Sequence, residues 1–160
     1  MKKVIILFTI LLLIGCKSKK VVAVAEPVPE KVKIMKIALS EVNDSQKNKS
    51  YELGKRVLMT CNTSKFKPFN TTEATLSVIK NTTEERLTKT CTRFRQYYGT
   101  FIDLQLVEVY QNNFDQTTIF RYKALYSKKV ANKELRVTMN NENKVSAIKS
   151  SDWVNSFIAK

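Results

Sequence analysis

The chain predicts an α+β fold, with N-terminal helices packed on an antiparallel four-stranded sheet. Two observations carry that prediction. Apolar residues recur at helical spacing between residues 48 and 98, and from residue 101 the period drops to two. The connectors between the alternating segments are also too short to hold crossovers, so the strands must form an antiparallel meander. Helices first and strands afterwards is an α+β order.

The elements follow in turn. Leu53, Val57, Leu58 and Cys61 place one apolar face on a helix over residues 48–61. Asn70-Thr71-Thr72-Glu73 and Asn81-Thr82-Thr83-Glu84 each set a capping residue three places before a glutamate. That is the pattern of a capping box, so one short helix is expected near Thr71 and another start near Thr82. Leu87, Cys91, Phe94 and Tyr98 share one helix face, which Gly99 ends. Strands are expected over residues 101–111, 116–127, 132–140 and 144–150, all rich in β-branched and aromatic residues. In the second strand Phe120, Tyr122, Ala124 and Tyr126 oppose Ile119, Arg121, Lys123 and Leu125. In the third, Leu135, Val137 and Met139 oppose Glu134, Arg136 and Thr138.

Ahead of this domain the chain has another character. Lys2 and Lys3 precede an apolar run from Val4 to Ile14, too short to span a membrane but suited to a secretory signal. The run ends in Leu13-Ile14-Gly15-Cys16, which resembles a bacterial lipobox. The resemblance implies cleavage after Gly15 and lipidation of Cys16, so that residues 1–15 are a signal peptide and the membrane is a partner through the lipid. Residues 16–47 then read as a lysine-rich tether with two prolines, followed by the domain over residues 48–160. Within the tether, Val32 to Leu39 suits a local strand or a helix turn equally well. Lys17 stands where an inner-membrane lipoprotein would carry aspartate, and Lys17-Ser18-Lys19-Lys20 has no acidic surface-export run. A periplasm-facing outer-membrane address follows as the expectation.

A second resemblance rests on short phrases: Tyr98-Gly99, Arg121-Tyr122-Lys123-Ala124, Leu135-Arg136-Val137 and Asn141-Glu142-Asn143-Lys144-Val145. With the element order, they resemble the nuclear-transport-factor-2-like, or cystatin-like, domains of unknown function. The resemblance implies a curved, cone-shaped sheet with a pocket between its concave face and the helices. It carries over no catalytic residue and no cofactor.

Composition narrows the chemistry. The 160 residues contain no histidine, which removes Ser-His-Asp and Cys-His hydrolases and histidine metal sites. The formal charge of +14 suits anionic partners, yet the lipobox gives an address without nucleic acid, so nucleic acid is not an expected partner. Cys61 and Cys91 are the two thiols left after Cys16, and two readings stand: a disulfide in an exported domain, or separate buried thiols. Tyr98, Asp103, Arg121, Tyr122, Lys123 and Arg136 are the candidate pocket or anion-binding residues. Arg121, Lys123 and Arg136 form either a basic patch, with Glu108 and Glu134 as partial partners, or a solvated outer sheet face. Asp103 would be the base in an enzymatic alternative, with Tyr98 or Tyr122 as donor. The functional expectation is a non-enzymatic module binding a small ligand or an envelope protein. The third alternative is an assembly factor using its sheet face.

Overall fold

In a computed structural model, residues 34–159 are described; the expected signal peptide, Cys16 and most of the tether lie outside them. The element order is β1 (Ile34–Ile37), a 3-10 turn (Leu39–Glu41), α1 (Asp44–Thr63), α2 (Leu76–Asn81), α3 (Glu84–Tyr98), β2 (Phe101–Asn112), β3 (Thr117–Tyr126), β4 (Lys133–Met139) and β5 (Val145–Asp152). The helices pack on an open five-stranded antiparallel sheet of order β1-β2-β3-β4-β5. This corrects the expected four strands. The fifth is β1, where Ile34 pairs with Asn112 and Ile37 with Val109. Residues 34–47, expected in the tether, therefore belong to the sheet and to the entry of α1.

α1 starts earlier than expected because Asn43 caps it, its Oδ1 accepting from the Gln46 amide at 3.1 Å. Its buried face is Ser50, Leu53, Gly54, Val57 and Thr60. Gly54 lies so near the sheet that an added Cβ would meet Leu135 Cδ2 at 2.9 Å and Val137 Cγ2 at 3.1 Å. The helix expected near Thr71 does not form. Asn70 and Glu73 make the reciprocal cap, with Glu73 Oε2 accepting from the Asn70 amide at 3.1 Å. The chain then bridges in parallel from Ala74 to Val145, where the Thr75 amide donates to the Val145 carbonyl at 2.9 Å. Those backbone groups are taken by the sheet edge, so only one turn can follow the cap, and α2 waits until Leu76. α3 is capped by Thr83 and closed by Gly99 at φ +79, where an added Cβ would meet Ser127 Oγ at 2.2 Å.

A disulfide joins Cys61 of α1 to Cys91 of α3, with Cα atoms 4.8 Å apart. The inner sheet face buries Leu104, Phe120, Ala124, Leu135, Val137 and Met139 against Leu53, Val57, Phe66 and Phe69. The outer face is crossed by the segment after β5, which is held at its start by Trp153 N–H to the Asn132 carbonyl at 3.0 Å.

Candidate functional site

The helix layer does not seal the sheet everywhere. Between α3 and the ends of β3, β4 and β5 lies a cavity of about 230 Å³. α1 supplies Val57, Leu58 and Cys61 to its wall, α3 supplies Leu87, Thr90 and Phe94, and the sheet supplies Tyr126, Leu135, Ile148 and Ser150. Asn81 and Thr82 close one end. The disulfide fixes α3 against α1 here, so the wall containing Leu87 and Phe94 stands at a set distance from the sheet. Leu87 and Phe94 lie on the apolar stripe of α3, yet on that helix only Cys91 is fully buried. The stripe faces a gap as much as a core. Burial pushes the Tyr126 hydroxyl up to about 12.

Thr90 and Phe94 also line a second, outer chamber of about 440 Å³, with Arg93, Tyr97, Tyr98, Lys133 and Asp152. The Lys133 ammonium stands 5.5 Å from the Phe94 ring centre and 5.3 Å from that of Tyr98. It also donates to Asp152 Oδ1 at 2.8 Å, and this bond holds the largely exposed Asp152 carboxyl below its usual range. The two chambers adjoin at Thr90 and Phe94 as a cleft whose inner part is mostly apolar and whose outer part carries Arg93 and Lys133 with Asp152.

The residues expected from sequence are placed differently, and most do not meet. Tyr98 alone lines this cleft, its ring 5.8 Å from that of Tyr126. Tyr122 is 1% exposed in the core, its hydroxyl 2.6 Å from Ser50 Oγ and pushed up to about 12 by burial. Asp103 lines neither chamber. It accepts from the Tyr51 hydroxyl at 2.7 Å and pairs with Lys55 at 3.1 Å. The Tyr51 bond, with help from Lys55, holds its carboxyl below the usual range, which makes it a weaker base.

Arg121 is on the outer face and fully buried, bonded to Glu134 and to Glu108 at 2.6 Å. Arg136 bonds Glu134 from the other side. Lys36 of β1 extends the row, donating to Glu108 at 2.8 Å. Burial pushes the Glu108 carboxyl up, but hydrogen bonds from Lys36, Arg121 and Tyr110 outweigh it and hold it at about 2. So the arginines of the expected basic patch are internally paired, and Lys123 stands half-buried beside them on that face. The cleft cations Arg93 and Lys133 went unnoticed in the sequence. Lys133 begins a strand next to a turn, and nothing in the local pattern ties it to Phe94 and Tyr98.

Among the described residues no cluster of three or more His, Cys, Asp or Glu could hold a metal ion, and no helix is long and apolar enough to cross a membrane. No family model, no curated protein and no solved structure matches the chain.

Proposed function

We propose that the chain is a lipid-anchored binding module of the cell envelope, facing the periplasm from the outer membrane, with a nuclear-transport-factor-2-like domain. Its ligand is a small amphipathic molecule. The apolar part enters the chamber under Leu87 and Phe94, and an anionic end sits beside Lys133 and Arg93. The observation that carries this proposal is the two-compartment cleft, whose inner part is mostly apolar and whose outer part carries Arg93 and Lys133 with Asp152. About 230 Å³ suits a short acyl chain or one or two rings. Anchoring through Cys16 would hold the cleft near the membrane, a source of such molecules.

The test is binding of a graded series of straight-chain carboxylates to the full chain by calorimetry. Leu87→Trp fills the inner chamber and is expected to weaken binding about tenfold or more. Equal affinity in Leu87→Trp, or no binding of any member of the series, overturns the ligand assignment. The anchor is checked separately: Cys16→Ser is expected to lose incorporation of labelled fatty acid and leave the membrane fraction.

A further inference from the structure

The outer chamber of the cleft is larger than the end of a simple acid requires. It measures about 440 Å³ against about 230 Å³ for the inner one, and a bare carboxylate would fill little of it. Thr90, Arg93, Phe94 and Tyr97 fall at i, i+3, i+4 and i+7 of α3 and all line this chamber, so one stripe of the helix faces it. This stripe mixes polar and aromatic groups, unlike the apolar one through Leu87 and Cys91 beside it.

The chamber offers a ring face, a cation and an acceptor together. Tyr97 is 56% exposed. The Arg93 guanidinium carbon lies 5.8 Å from the Tyr97 ring centre, and Arg93 forms no ion pair among the described residues. Asp152 gives only Oδ1 to Lys133, at 2.8 Å, and its side chain is 79% exposed, so Oδ2 is open to a donor. Lys133 is already engaged: its charge is matched by Asp152, and the Phe94 and Tyr98 ring centres lie within 5.5 Å of it. A bare carboxylate entering here finds Arg93 but also meets Asp152, a like charge. Hydroxyl groups on the same head turn Asp152 from an obstacle into an acceptor. A saturated ring presents a face of weakly positive C–H groups, which suits the negative face of the Tyr97 ring.

We propose that the ligand of the cleft is an acidic glycolipid, an alkyl chain joined to a sugar ring that carries the acid group. The chain enters the inner chamber and the sugar ring lies on Tyr97. Its hydroxyl groups donate to Asp152, and its acid pairs with Arg93. This assignment rests on the cleft being a ligand site, and it narrows the ligand from any small amphipathic acid to one with a ring-sized, hydroxylated head.

The test is calorimetry on the full chain with octanoate, octyl glucoside and octyl glucuronide, each below its micellar concentration. The glucuronide is expected to bind about tenfold or more tighter than either of the others. Asp152→Ala is expected to act with opposite sign on the two simpler ligands. It weakens octyl glucoside about fivefold by removing the acceptor, and it strengthens octanoate by releasing Lys133. Tyr97→Ala is expected to cost both glycosides about fivefold more than it costs octanoate. If octanoate binds as tightly as the glucuronide, or Asp152→Ala moves both simpler ligands in the same direction, the head-group assignment is overturned while the cleft stands as a site for simple acids. If none of the three ligands binds, the cleft reading falls and this assignment falls with it. Should either variant fail to fold, the order of the three ligands on wild type decides alone.

Discussion

At its centre β3 is closed to water on both faces, and the two are built on opposite physics. Phe120 and Arg121 are neighbours in sequence, and both are 0% exposed. Phe120 points into the helix layer, where burial of apolar area is its own stabilisation. Arg121 points outward and is buried only because Glu134, Glu108, the Trp153 ring and the Val154 carbonyl satisfy it. Burying a charge is unfavourable unless every partner is present. The inner face therefore depends on volume and the outer face on a complete set of partners.

Four variants would break or sharpen that contrast. The largest effect is expected on the inner face: Phe120→Ala should destabilise by about 3–5 kcal/mol in urea unfolding, with little dependence on salt or pH. On the outer face, Glu134→Gln should cost about 3 kcal/mol, because it leaves Arg121 and Arg136 short of a counter-charge in a dry place. Replacing the pair together, Arg121→Met with Glu134→Leu, should recover much of that loss. If the double replacement is as damaging as the single one, the contrast between the faces fails.

The smallest effect belongs to Lys36→Met. Lys36 is 60% exposed at its side chain, so near neutral pH the loss should stay under about 1 kcal/mol. Its signature lies in acid. Glu108 is held at about 2 against a usual 4.5, so its contribution is full above 4.5 and is lost as pH falls toward 2. Without the Lys36 hydrogen bond the Glu108 carboxyl protonates at a higher pH. The acid limb of stability against pH should shift upward, while Phe120→Ala leaves the position of that limb unchanged.

Much of the fold was legible because it is local. The stop at Gly99 and the alternation along β3 and β4 are written in spacing, and the structure has them; the Asn81–Glu84 cap expected at the start of α3 is not used, because Asn81 ends α2 and Thr83 caps α3 instead. β1 was not legible. Four residues carry no decisive period, and what makes Ile34–Ile37 a strand is an edge more than seventy residues later. The Asn70 phrase misled for a related reason: the cap forms, but Val145 takes the backbone that a helix would need. The candidate site fared worse than the fold. Arg121, Lys123 and Arg136 do share a face, but alternation cannot show that Glu134 and the C-terminal tail had already engaged the arginines. Leu87 and Phe94 were visible as a stripe; that a gap lies opposite them depends on how three elements end.

Gly54 bears on that gap without touching it. It brings the middle of α1 nearly into contact with Leu135 and Val137, closer than any other residue type would allow. Val57, Leu58 and Cys61, about a turn or two further along, form the cleft wall. Further along, the Asn62 side chain bonds the Phe101 carbonyl at 2.8 Å and its amide at 3.1 Å, and Cys61 is bridged to Cys91, so the helix rests on the sheet at two supports with the cleft wall between them. An absent side chain in the core thus helps to set the height of a wall from which it is itself missing, so a substitution at Gly54 would alter the pocket through a residue that lines neither chamber.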